Sequence, residues 1–183
     1  MKIDLSIIIP VKKVSPYLSN CINSIFQSYK KVQDKELEII IASHKKNRIN
    51  FQELGFDGKV RLVTQSGKYP LGTSKARNLG VLSARGEILA FTDDDCIVDV
   101  DWIPQIFHSW DKLESQNQVV CILGNHWLDQ KYAFWSNLQE EYRKQHALEH
   151  LFKENKNIFT DRLDGRNFTI LRQTALNFLF NEN

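Results

Sequence analysis

The chain has 183 residues, 42% of them hydrophobic and 25% charged. These values are near globular averages, exclude a disordered or fibrous chain, and suit one domain with its own core. Lys and Arg total 24 against 22 Asp and Glu, a net charge of +2, so no basic field suggests a nucleic-acid partner.

In chain order, Leu5 to Val11 (LSIIIPV) is a β-branched run ending near a proline, the pattern of a buried strand. Ser15 and Pro16 read as an N-cap and a first-turn residue. Behind them Leu18, Cys21, Ile22, Ile25, Phe26 and Tyr29 recur at spacings of three and four, one face of a helix. Leu37 to Ala42 and Val60 to Thr64 read as the second and third strands. Thr73 or Ser74 is expected to cap a helix that runs to Ala84 and stops at Gly86. Glu87 to Thr92 reads as the fourth strand. Strands separated by helices imply a sheet whose first part is parallel, with helices on its faces. Beyond it the pattern predicts a helix over Asp101–Leu113, a strand over Val119–Leu123, a largely helical aromatic and charged stretch from Trp127 to Phe152, and a last strand at Asn167–Leu171 followed by a short helix. The composition shifts near Asp101 without a Pro/Gly/Ser linker. This suggests one domain, 1–183, with two lobes, 1–100 and 101–183.

Cys21, Cys96 and Cys121 form no CxxC pair, which points to reduced thiols and a cytoplasmic protein rather than a disulfide scaffold or structural zinc. The apolar opening is broken by Asp4 and Ser6 and reads poorly as a leader, and no run of ~18 apolar residues could span a membrane.

Open parallel sheets bind ligands beyond the carboxyl ends of their strands. That rule selects Pro10-Val11-Lys12, Ser43-His44, Thr64-Gln65-Ser66 and Thr92-Asp93-Asp94-Asp95. Three consecutive acids repel one another unless a cation compensates. A hard divalent ion, Mg²⁺ or Mn²⁺, would do so while taking its other ligands from phosphate and water; the alternative is a solvated acidic turn capping the next helix. Between the third and fourth strands, Gly72 precedes a helix carrying Lys75 and Arg77, cations suited to phosphate or simply exposed on an amphipathic helix. Neither GxGxxG after the first strand nor GxxxxGK[ST] occurs, which argues against a nicotinamide dehydrogenase and a P-loop enzyme.

Three pieces together resemble family 2 glycosyltransferases of the GT-A fold. Ser6-Ile7-Ile8-Ile9-Pro10-Val11 resembles their opening strand. Gly72, Ala76-Arg77-Asn78-Leu79-Gly80 and Ala84-Arg85-Gly86-Glu87 resemble their G…ARN.G…A.GE segment. Phe91-Thr92-Asp93-Asp94-Asp95-Cys96, continued by Asp99-Val100-Asp101-Trp102-Ile103, resembles their DxD motif. Gly165 to Arg172 resembles the stretch near the acceptor. The resemblance implies an α/β, Rossmann-like GT-A domain in which 1–100 binds the nucleotide-sugar and 101–183 faces the acceptor. It implies transfer of a sugar, with inversion, from a nucleoside diphosphate donor, a UDP-sugar first, to a saccharide or lipid-linked acceptor. Asp95 and Asp93 would hold the Mn²⁺ or Mg²⁺, Asp93 and Asp94 would lie by the donor, Lys75 and Arg77 would lie near the nucleotide, and Pro10, Val11 and Lys12 would frame base and ribose.

Two positions depart from the family pattern. Ser43, followed by His44, stands where the family usually carries an Asp that reads uracil. Phe180-Asn181-Glu182-Asn183 resembles the segment that precedes the family's catalytic-base motif, which the sequence does not reach. The expectation is therefore a chain lacking C-terminal elements, or one with a substitute carboxylate among Asp161, Asp164 and Glu182. The alternative from another class is a nucleotide-sugar binding module without turnover. His146 and His150 share a helix face but, like His126, carry no zinc motif. Trp127, Tyr132, Phe134, Trp135 and Tyr142 suit packing, sugar stacking or peripheral contact with a membrane.

Overall fold

A computed structural model describes residues 2–13, 16–32, 34–44, 58–67, 71–113, 121–124 and 167–182. They belong to one compact unit made of Met1–Gly124 and Gly165–Asn183. The elements are β1 (Leu5–Val11), α1 (Leu18–Tyr29), β2 (Leu37–His44), β3 (Val60–Gln65), α2 (Thr73–Ser83), β4 (Ile88–Phe91), α3 (Trp102–Leu113), β5 (Cys121–Leu123), β6 (Phe168–Leu171) and α4 (Arg172–Asn177). Six strands form one sheet in the order β3-β2-β1-β4-β6-β5. The first four are mutually parallel, and β6 runs antiparallel between β4 and β5. This is the mostly parallel, helix-flanked α/β sheet that the alternating pattern predicts.

Strand periodicity sorts the core into two layers. Leu5, Ile7, Ile9 and Val11 of β1 pack on one face with Leu18, Cys21, Ile22 and Ile25 of α1 and with Ile103, Ile106 and Trp110 of α3. Ile8 and Ile40 face the other way, with Val81 of α2 and Ala175 of α4. Residues buried on both faces read as continuous apolar runs, which is why β1 and the first residues of β2 show no alternation. Gly80 lets α2 approach this second face: a Cβ there would run into the Ile8 side chain. The short antiparallel end of the sheet is tied to α3. Trp110 Nε1 donates to Thr169 Oγ1 at 2.9 Å, and Trp102 Nε1 donates to Asn167 Oδ1 at 2.9 Å.

Most boundaries differ from the pattern by a residue or two, and three of the differences have a physical reason. β2 continues to His44, because Ser43 still pairs with Val11 across the ladder. The cap of α2 is Gly72 in an extended conformation, not Thr73 or Ser74, and no side chain caps the helix; the Gly72 carbonyl instead accepts the first helical bond, from Ala76 N at 3.0 Å. Helix α1 starts at Leu18 with Tyr17 as its cap, and the expected cap Ser15 lies outside the described residues. So does the stretch expected to be helical from Trp127 to Phe152.

At the amino end of the sheet one carboxylate organises its surroundings. Glu38 of β2 is 2% exposed. It accepts from Ser6 Oγ at 2.7 Å, from the Arg61 guanidinium at 2.8 and 2.9 Å, and from the Arg85 backbone and guanidinium at 2.7 to 3.0 Å. Burial alone would push its carboxyl up. The Arg85 side chain, then Ser6, the Arg85 amide and Arg61, outweigh burial and hold it below its ordinary value. A carboxyl lowered on folding stabilises the fold above its unfolded pKa, and that contribution fades as pH falls through the folded one. Glu38→Ala is therefore expected to lower unfolding free energy by about 3 kcal/mol at neutral pH, since it breaks a buried ionic cluster. In denaturant titrations the gap between the two proteins should stay constant from about pH 6 to 8 and narrow below about pH 4. A gap that widens on acidification would contradict this account.

Candidate functional site: a cleft at the switch point of the sheet

The chain leaves β1 toward β2 on one side and reaches β4 on the other, so strand order reverses between β1 and β4. Pairing of β1 with β2 extends to Val11 and Ser43, but pairing with β4 stops at Ile8 and Phe91. Beyond that point Thr92 N donates back to Ile8 O at 3.3 Å. Asp4 and Ile8 turn their carbonyls toward β4, so by strand alternation Pro10 presents its backbone nitrogen on that same side. Proline has no N–H to leave unpaired. It closes the ladder without an orphan donor where β4 turns away, and a crevice opens there, the position at which α/β sheets bind ligands.

Pro10, Lys12, Leu71, Thr73, Ala76, Asp93, Asp94 and Asp95 line this open cleft. The acidic turn forms one wall. It is closed by Cys96 N donating to Asp93 O at 3.2 Å and pinned from α1, where Cys21 Sγ donates to Asp93 O at 3.5 Å. The following segment is held by serines of α1. Ser24 Oγ accepts from Val98 N at 3.0 Å, and Ser28 Oγ accepts from Ile103 N at 2.9 Å. The opposite wall is the first turn of α2, where Thr73 and Ala76 face the cleft. The leading N–H groups of a helix have no intrahelical acceptor, and α2 has no side-chain cap to satisfy them.

The three carboxyls of the acidic turn sit in different settings. Arg77 Nη2 lies 3.3 Å from Asp93 Oδ1. Asp94 is pushed up to about 6, first by burial and then by the charge of Asp95. Asp95 is exposed. The setting therefore disfavours the negative charge of Asp94 in particular. Among the described residues no three His, Cys, Asp or Glu side chains converge as a metal site. The Cys21 thiol is pushed up, chiefly by burial and further by Cys96 and the neighbouring aspartates, which keeps it neutral beneath the turn.

Of the residues singled out in the sequence, Pro10, Lys12, Asp93, Asp94 and Asp95 meet at this cleft, and Arg77 reaches it through Asp93. Val11 lies beneath, fully buried. Ser43 is buried too, and its hydroxyl donates to Val11 O at 2.8 Å, bracing the end of β1 from behind. His44 Nε2 lies 3.0 Å from Gly67 O, joining the ends of β2 and β3. Lys75 is not among the lining residues, and its Nζ lies 3.9 Å from Glu182 Oε2. Glu182 also accepts from Asn78 Nδ2 at 2.8 Å. Asp161, Asp164, the aromatic residues between Trp127 and Tyr142, and His126, His146 and His150 lie outside the described residues. Sequence reasoning did not select Leu71, Thr73 and Ala76 as lining residues. The start of α2 beside the acid-bearing strand end was the signal available for Thr73 and Ala76.

Comparison with known proteins agrees with this geometry. The sequence profile of Glycosyl transferase family 2 matches residues 6–174. The minor teichoic acid biosynthesis protein GgaB of Bacillus subtilis is 26% identical over 158 residues, covering 80% of this chain and 17% of that protein. The glycosyltransferase GlyG of Streptococcus pneumoniae is 24% identical over 128 residues, 67% of this chain and 39% of that protein. The chain thus spans well under half the length of these relatives. Among solved structures, the mannosyltransferase PcManGT from Pyrobaculum calidifontis, in complex with GDP-Man and Mn²⁺, superposes with a TM-score of 0.59 at 13% identity, covering 97% of this chain and 47% of that one. Glucosyl-3-phosphoglycerate synthase of Mycobacterium tuberculosis, in complex with UDP, gives 0.52 at 15% identity, over 93% of this chain and 57% of that one. These structural likenesses show the fold. The family match over nearly the whole sequence, on a sheet that opens its cleft beside the acidic turn, places the chain in glycosyltransferase family 2.

Proposed function

We propose that this chain binds a nucleoside diphosphate sugar, a UDP-sugar by preference, as the donor part of an inverting glycosyltransferase whose acceptor is a hydroxyl of a saccharide or lipid-linked molecule. The observation that carries the reading is the cleft at the switch point, where the acidic turn Asp93–Asp95 faces the uncapped start of α2 beside Pro10 and Lys12. The adjacent carboxyls of the turn fit a hard divalent ion that brings diphosphate with it. Two carboxylates, Asp95 and Asp93, would hold it, with its other ligands from phosphate oxygens and water, the usual arrangement for Mg²⁺ with nucleotides. When bound, Mn²⁺ or Mg²⁺ supplies positive charge against the negative charge that builds on a leaving diphosphate. The protein supplies the rest. Lys12 and the first-turn amides of α2 orient the phosphates. Arg77 adds a fixed cation that needs no reorganisation as charge develops. Pro10 and Val11, stiffened by Ser43, form the floor under the nucleoside. The part of the chain from residue 101 onward would face the acceptor. The name of GgaB, a minor teichoic acid biosynthesis protein, supports an acceptor of that kind, and the two neighbours bound to GDP-Man and to UDP support a nucleoside diphosphate donor.

Two measurements test this. In calorimetry, UDP should bind at least about tenfold more tightly with Mn²⁺ than with EDTA, because bare diphosphate beside carboxylates is repelled. Asp95→Ala should erase that difference while leaving thermal unfolding unchanged, since the side chain is exposed. Equal affinity with and without metal would remove the ion from the account, and tighter binding of GDP than UDP would reassign the base. Separately, Arg77→Ala should weaken UDP binding by about 1.5–3 kcal/mol through loss of a charge-assisted contact. Unchanged affinity would make Arg77 a structural partner of Asp93 only.

A further inference from the structure

We propose that Phe180, clamped by Asn78, is a positioning residue for Arg77, so that the segment ending at Glu182 sets the cation of the donor cleft from behind; this rests on the cleft being the donor site. Asn78 lies next to Arg77 on α2 and is 4% exposed. It holds the segment by both sides of its amide. Its Oδ1 accepts from Phe180 N at 2.8 Å, and its Nδ2 donates to Phe180 O at 2.9 Å and to Glu182 Oε1 at 2.8 Å. A side-chain amide that engages both backbone groups of one residue fixes its position as a ladder partner would, and leaves neither group unsatisfied.

The ring held in this way stands edge-on to two others. Phe91 at the end of β4 and Phe168 at the start of β6 are stacked, with centroids 4.3 Å apart and planes 5° from parallel. Phe180 meets Phe91 at 5.6 Å and Phe168 at 6.0 Å, with interplanar angles of 70° and 65°. The Arg77 guanidinium carbon lies 5.7 Å from the Phe180 centroid, within range of a cation–π contact. The Arg77 side chain is 13% exposed, and Nη2 of the same guanidinium reaches Asp93 Oδ1. The guanidinium is thus set between an aromatic ring and a carboxylate, with little room to rotate. A long side chain that is already ordered loses less freedom when it meets a phosphate. Neither Phe180 nor Asn78 is among the residues that line the cleft, and Phe180 meets the cleft's cation through its contact with Arg77.

The experiment uses Phe180→Leu and Asn78→Ala in the full chain, alone and combined with Arg77→Ala, with UDP and Mn²⁺ as the probe in calorimetry. Phe180→Leu should weaken UDP about two- to fivefold in the parent protein, the size of a half-exposed cation–π contact, and should change nothing further once Arg77 is Ala. Asn78→Ala should behave in the same way; should it not fold, Phe180→Leu alone decides. In the ligand-free protein, the Arg77 Nε–H resonance should move when the Phe180 ring is removed. Unchanged UDP affinity in Phe180→Leu, or a loss that persists in full with Arg77→Ala, would overturn the proposal. A parent protein that fails to bind UDP but whose Arg77 resonance still moves would overturn the donor reading while leaving the ring contact in place.

Discussion

Every residue of β1 from Leu5 to Val11 is buried, with parallel neighbours on both edges and helices on both faces. That constraint fixes the rest. A strand with no solvent face must be apolar or give each polar side chain a partner, as Ser6 has in Glu38, and its backbone must be paired at every polar group. Pro10 is the one position where the pairing rule relaxes, because it has no N–H to satisfy. It occurs on the edge from which β4 has just turned away. The site is therefore a consequence of how a fully buried strand ends, and Ser43, by donating to Val11 O, keeps that end from fraying.

Carboxylates at the two ends of the sheet are treated in opposite ways. At the amino end Glu38 is buried and saturated, with two arginines, a hydroxyl and an amide directed at it, and its carboxyl is lowered. At the carboxyl end Asp93, Asp94 and Asp95 stand in a row with Arg77 beside the first, and Asp94 is raised. A protein gains stability from the first arrangement and gives some up for the second. Adjacent carboxyls beside an open cleft, one of them raised by burial, are groups that a ligand bringing its own cation can use. The same contrast separates the arginines. Arg61 and Arg85 complete a structural cluster, whereas Arg77 stands between the acidic turn and an aromatic ring.

Much of this was legible from residue order. The apolar runs LSIIIPV and LEIIIA, and the three-and-four spacing from Leu18 onward, carry the strands and helix they predict. Hydrophobic burial dominates those segments and leaves a periodic trace. The acidic triplet was legible for the opposite reason, since three adjacent acids are unfavourable without a purpose. The strand end at Ser43 and His44 was misjudged because a polar side chain at a buried edge looks like loop until its acceptor, here a carbonyl on a neighbouring strand, is known. The cap of α2 was misjudged because Thr73 and Ser74 are good caps in isolation, yet the chain reaches the helix through extended Gly72. The Asn78 clamp could not be read at all. Its partners lie 102 and 104 residues away, and no local pattern encodes a contact that only the closed sheet creates.

The central claim is that the carboxyl end of β1, the turn after β4 and the start of α2 form one site for a divalent cation and a nucleoside diphosphate. Paramagnetic broadening by Mn²⁺ in the presence of UDP, read amide by amide on ¹⁵N-labelled protein, tests it most directly. The account predicts that signals of Lys12, Thr73 and Asp93 to Cys96 disappear first, while Arg61 and Arg85, at the Glu38 end of the sheet, remain sharp. Broadening centred elsewhere, with Asp94 and Thr73 unaffected, would contradict it.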